Sequence, residues 1–185
     1  MMKTKLISTL EKQANWKSIF ILFALLIFFN LVLFPGILSS GTHNLVTHDQ
    51  LFWYTPQRAY EIMDAYPPEF LRFAVIGYFM VDMVYPLLYG SIIWFLLIIT
   101  FQRAYSKNSF ADRVVFFPWA GVICDYLENI SLSIIYLQYP KELTAIAWMA
   151  TTFTALKWIF IGIGLLLVCI GAVKLVLTLG LRPQT

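Results

Sequence analysis

The chain alternates long apolar runs with short polar punctuation, and four of the runs are long enough to cross a bilayer. The first, residues 18–34, is interrupted only by Asn30 and is closed by Pro35-Gly36. The second covers residues 70–101, the third 114–137, and the last begins at Leu143 and continues to about Leu181. This last run is too long for one straight span and too short for two with a loop. It predicts one long helix, spanning over 143–173, whose tail emerges near Lys174. The tight Pro140-Lys141-Glu142 connection makes the third and fourth spans antiparallel neighbours. The expected fold class is therefore an all-α integral membrane protein, a four-transmembrane-helix bundle forming one membrane domain over 1–185.

A basic head, residues 1–17 with Lys3, Lys5, Lys12 and Lys17, precedes the first run. That is also the pattern of a signal peptide. The run is longer than a usual signal core and lacks a small-x-small cleavage site, so a retained first span is expected.

The external loop 36–69 is the longest polar connection. Leu51-Phe52-Trp53-Tyr54 is an aromatic patch suited to a membrane interface. Thr55-Pro56 reads as N-cap and N1 of a short helix, 56–66, expected to lie on the membrane surface with Tyr60, Ile62 and Met63 toward lipid or protein and Arg58, Glu61 and Asp64 toward water. His43, His48 and Asp49 are expected to be plain surface residues rather than a metal site. Tyr136 and Tyr139 are expected to mark the far interface of the third span.

Composition sharpens the class: 60% hydrophobic and 12% charged residues, with aromatics at 17%, whereas soluble domains carry about twice that charge. A net charge of +3 gives a nucleic-acid role no support. The basic residues speak to orientation instead. Nine of them (Lys3, Lys5, Lys12, Lys17, Arg103, Lys107, Arg113, Lys174, Arg182) fall on the side of the termini, against Arg58, Arg72 and Lys141 on the other. This places both termini in the cytoplasm, in a bacterial inner or plasma-type membrane. The two cysteines, Cys124 and Cys169, lie in different spans and read as small buried apolar residues.

Candidate chemistry lies inside the spans. Asp125, Glu128 and Asn129 follow i, i+3, i+4 and share one helix face. Ionisable groups in a span cost roughly 2.5–3.5 kcal/mol each on insertion scales, so the fold must offset them. In span two, Tyr78, Asp82, Tyr85 and Tyr89 form one polar-tipped stripe. Pro86, four residues after Asp82, is expected to kink the helix and free the Asp82 carbonyl. In span four, Thr151, Thr154 and Lys157 share a side, and Gly162, Gly164 and Gly171 offer flat patches for close helix approach. Counting down each helix puts Asp82, Asp125, Glu128 and Lys157 roughly 14–21 Å below the external ends of their spans, one layer from three helices. Three acids against one lysine imply a protonated carboxyl or a cationic ligand there. Asn30, alone in span one, reads as interhelical glue.

No nucleotide, zinc-protease or serine-hydrolase motif is present, and no cofactor or metal is expected. The leading expectation is a protein that binds an amphiphile, a membrane lipid or isoprenoid-like molecule. In that reading Asp125 and Glu128 act as acid and base and Asp82 pairs with Lys157 or shares a proton. Asn129, Tyr78, Tyr85, Tyr89 and Thr154 supply neutral hydrogen bonds. Two rivals stand beside it. One is a proton- or cation-coupled transporter working as a homo-oligomer. The other is a non-catalytic scaffold or accessory subunit, in which the polar groups only hold helices together.

Overall fold

Apolar periodicity becomes helix throughout: the computed structural model describes residues 12–35, 46–68, 70–71, 75–76, 82–105 and 110–180, and among these there is no strand. Helix α1 spans Trp16–Phe28 and runs on as a π-helical turn, Phe29–Leu33. Asn15 caps it by accepting the Ser18 N–H at 3.0 Å. Helix α2 is Pro56–Asp64, capped by Thr55, whose hydroxyl accepts the Arg58 N–H at 3.1 Å, with Pro56 in the first turn. Helix α3 is Tyr85–Leu97, continued by a second π-helical turn at Ile98–Gln102. The short α4, Ala111–Val114, leads into α5, Pro118–Gln138, and α6 runs unbroken from Thr144 to Gly180 over 37 residues. Four helical stretches, Trp16–Leu33, Tyr85–Gln102, Ala111–Gln138 and Thr144–Thr178, are long and apolar enough to cross a membrane.

The bundle is built on the α5–α6 pair, the most extensive helix contact in the molecule. Small residues let the pair close. Ala147 and Ala150 of α6 are fully buried, and a Cβ added to Gly121 of α5 would meet Phe160 at 3.2 Å. Helix α3 packs on both members, and α1 packs along α3. Close approach again needs glycine. A Cβ on Gly90 would lie 2.5 Å from Val122 Cγ2, and one on Gly171 would lie 2.5 Å from the Phe101 backbone, where the second π-helical turn meets α6. Gly164 touches α3 through Ile93, whereas Gly162, expected at a helix contact, faces open space.

Helix α1 is the peripheral member, with Ile19 its one buried residue. The α2 helix lies across one end of the bundle. Its Tyr60, Ile62 and Met63 pack on Leu132, Ile135 and Tyr136 of α5 and on Ala147 and Ala150 of α6. Arg58, Glu61 and Asp64 are exposed. The Tyr60 hydroxyl accepts the Leu143 N–H at 2.6 Å and so ties α2 to the α5–α6 turn.

Three expectations change. Helix α3 starts at Tyr85, and Asp82–Val84 form a turn before it. Pro86 therefore occupies a first turn, where its missing N–H costs nothing, instead of kinking a continuous span. Cys169 is exposed on α6, while Cys124 is buried as expected. His48 is not at a surface: it is buried, 2.9 Å from the hydroxyl of the buried Tyr136.

Candidate functional site

The i, i+3, i+4 spacing on α5 does what helix geometry dictates, and turns Asp125, Glu128 and Asn129 onto the face that meets α6 and α3. All three are buried, Glu128 completely. On α6 the same periodicity brings Thr151, Thr154 and Lys157 to the facing side, with Thr151 and Thr154 fully buried and Lys157 5% exposed. The ammonium of Lys157 lies 2.5 Å from Glu128 Oε2 and 3.8 Å from Asp125 Oδ1. It is thus held between two carboxylates one helical turn apart. A buried charge needs a partner and hydrogen bonds to survive desolvation, and each carboxylate here has both. Thr154 Oγ1 donates to Glu128 Oε1 at 2.8 Å. Tyr89 donates to Asp125 Oδ2 at 2.8 Å, and Asn129 Nδ2 donates to Asp125 Oδ1 at 3.3 Å.

The network continues into the connecting segment before α2. The Tyr54 hydroxyl is 3.3 Å from Thr154 Oγ1, and the Tyr54 N–H donates to Thr151 Oγ1 at 3.1 Å. The Thr154 hydroxyl is also 2.9 Å from the Ala150 carbonyl, so Glu128 and Ala150 share its single proton as acceptors. His48 anchors the same segment from its other side. Its Nε2 is 3.0 Å from the Ala59 carbonyl, which can only accept, so Nε2 carries the proton. Its Nδ1 lies 2.9 Å from the Tyr136 hydroxyl. His48, Tyr54, Tyr136 and Thr151 were not among the residues expected at the site.

A cavity of about 640 Å³ opens beside this layer. Asp125, Asn129 and Lys157 form part of its wall, together with Asp82, Tyr85 and Tyr89 from the start of α3. Asn30, Phe34 and Pro35 border it from the end of α1, Thr47 and Gln50 from the connecting segment, and Trp158 and Ile161 from α6. Asn30 bonds the Tyr85 hydroxyl at 3.2 Å across α1 and α3, and Tyr126 donates to the Met83 carbonyl at 2.8 Å, fixing the turn that carries Asp82.

The structure thus brings Asp125, Glu128, Asn129, Lys157, Thr154 and Tyr89 into direct contact. Asp82 and Tyr85 are on the same cavity wall. Tyr78 lies outside the described residues, as does His43. Glu128 does not border the cavity: it sits behind Lys157, so Asp125 and Lys157 are the ion-pair members a ligand can reach. Among the described residues no cluster of histidine, cysteine and acidic side chains has the makings of a metal site. Comparison with known proteins gives no match to a family model, to a curated protein sequence or to a solved structure.

Proposed function

We propose that this protein is embedded in a bacterial inner or plasma-type membrane through α1, α3, α5 and α6, with both termini cytoplasmic, and that its cavity binds an amphiphile. The polar end of the ligand sits against Asp125, Asn129 and Lys157. Its apolar part lies between α1 and α6, against Phe34, Trp158 and Ile161. The α2 helix rests at the outer interface and, with the Tyr54 segment, covers the external end of the bundle.

One observation carries this reading: a cavity of about 640 Å³ that joins a buried ion-pair layer to an aromatic and aliphatic rim within a bundle of apolar helices. That volume is within the range of small-molecule sites, roughly 300–1,000 Å³, and such sites combine apolar walls with a few convergent polar groups. Ionisable residues inside membrane helices are costly and are candidates for a functional site by default. The rim supports entry from the bilayer. Helix α1 packs along α3, and Trp158 of α6 is 41% exposed where the cavity reaches the bundle surface. Asp125 is the carboxylate placed to exchange a proton with a bound head group.

Native mass spectrometry of protein purified in mild detergent tests this. The wild type is expected to carry a specific amphiphile that Ile161→Trp, which fills the rim, excludes. Equal lipid retention by both, at equal stability, would refute a cavity ligand and favour a scaffold.

A further inference from the structure

We infer that the head group taken by this cavity is uncharged and carries more than one hydroxyl, as a glycerol or sugar head does. This rests on the ligand reading above and adds the chemistry of the polar end.

The charges that reach the wall are already paired. Lys157 is held between Glu128 at 2.5 Å and Asp125 at 3.8 Å, and its ammonium stands 5.7 Å from the centre of the Trp158 ring. Asp125 also takes hydrogen bonds from Tyr89 and Asn129. Asp82 is engaged within the protein as well. A charged head group would have to draw one member out of this set and leave its partner buried and uncompensated, which is strongly destabilising.

The bonding capacity that remains at the wall is neutral. Asn30 at the end of α1, Thr47 and Gln50 in the connecting segment, Tyr85 and Tyr89 on α3 and Asn129 on α5 all line the cavity. Asn129 gives one amide hydrogen to Asp125 and keeps the other, together with its carbonyl oxygen. Tyr89 gives its proton to Asp125 and keeps an accepting oxygen. The Thr47 hydroxyl makes no capping bond to the turn it opens, and Gln50 is exposed, with an amide that both donates and accepts. A hydroxyl likewise donates and accepts, whereas an ammonium only donates and a carboxylate only accepts. These groups come from four elements, so several hydroxyls engage more of them than one can. Tyr85 marks the junction with the apolar part: its hydroxyl bonds Asn30 at 3.2 Å, and its ring meets Phe34 edge to face at 5.1 Å.

The test measures the binding of five ligands of one chain length, 1-O-hexadecylglycerol, hexadecyl glucoside, hexadecanol, hexadecylamine and palmitate, to delipidated wild-type protein. The detergent is lauryldimethylamine oxide, which has no hydroxyl, and Ile161→Trp is the blocked control. The better of the two polyols is expected to bind about tenfold more tightly than hexadecanol, with the amine and palmitate no tighter than hexadecanol. The glycerol ether in the lead would assign a glycerol head, and the glucoside in the lead a sugar. In the double variant Thr47→Val, Gln50→Ala the polyol is expected to lose about two- to tenfold while hexadecanol binds as before. Hexadecylamine or palmitate matching the better polyol on wild-type protein would overturn the inference and leave the cavity reading standing. So would polyols level with hexadecanol, or a polyol advantage undiminished in the double variant. No difference between wild type and Ile161→Trp for any of the five would defeat the cavity reading, and the head-group inference with it. The ranking on wild-type protein needs no variant to fold.

Discussion

Replacing Lys157 with methionine isolates the energetics on which the site depends. The side chain keeps its length and loses its charge, so the packing of α5 on α6 is retained while Glu128 and Asp125 lose their shared cation. At an effective dielectric constant of about 20, a 2.5 Å pair attracts by roughly 7 kcal/mol and a 3.8 Å pair by roughly 4 kcal/mol. Most of this is offset by the desolvation of both ions, so the pair itself contributes little net stability. The asymmetry appears when one partner is removed. Glu128 is 0% exposed, and without Lys157 its one remaining described bond is from Thr154. An uncompensated buried charge costs about 3–5 kcal/mol, a fall of about 6–20 °C in Tm at about 2–4 °C per kcal/mol for a chain of this size. Glu128→Gln should cost less, because Lys157 keeps Asp125. The double variant Glu128→Gln, Lys157→Met should return to within about 2 kcal/mol of wild type, since paired removal is often neutral. Thermal unfolding of the four proteins in one detergent completes the cycle. Single variants as stable as wild type, or a double variant that loses the sum of both, would refute the ion-pair geometry.

Other outcomes follow from the same contacts. Gly171→Leu should destabilise by about 1–3 kcal/mol or more, because even a Cβ there meets the Phe101 backbone at 2.5 Å, whereas Gly162→Ala, facing open space, should leave Tm unchanged or slightly raised; one melting series compares them. His48→Ala removes the bonds to Tyr136 and Ala59 and should make the segment before α2 a preferred site of limited proteolysis while the helical signal in circular dichroism is kept. The hydrogen bond from Tyr139 to Asp64, chiefly, with burial and the Asp64 charge adding to it, raises the Tyr139 phenol above its ordinary value. The protonated phenol is the form the fold favours. Its contribution is therefore complete below about pH 10 and lost as pH rises through the raised value. A tyrosinate absorbance titration should lose one late-titrating group in Tyr139→Phe.

How much of this the residues announce depends on the range of the interaction. The four apolar helices are legible because their signal is local: uninterrupted runs of bilayer length, ended by Pro35-Gly36 and by Pro140. The α5 face is legible for the same reason, since i, i+3, i+4 spacing fixes the relative direction of Asp125, Glu128 and Asn129 before any partner is known. Depth counting then brings Lys157 to the correct level on α6, because helix rise is constant. Pro86 read as a kink inside one continuous span, and the turn at Asp82–Val84 overturns that: proline opens α3. The contacts of Tyr54 with Thr154, and of His48 with Tyr136, join residues 100 and 88 positions apart through irregular backbone. No periodicity foreshadows them. Tyr54 read as part of an interfacial patch and His48 as surface, because loop polarity hints at water and carries no information about which helix a loop folds against. The ordering of Asp125 and Glu128 relative to the cavity is likewise tertiary. Both lie on one α5 face, and only the position of Lys157 between Glu128 and the open space separates the residue a ligand can reach from the one it cannot.

The central claim is that an amphiphile occupies the space between α1 and α6 with its polar end at the ion-pair layer. An experimental structure in lipid nanodiscs, determined without added ligand, tests this most directly. The account predicts elongated density along Phe34, Trp158 and Ile161 that ends within hydrogen-bond distance of Asp125. A cavity closed by α1 packed against α6, or filled only by water, would contradict it.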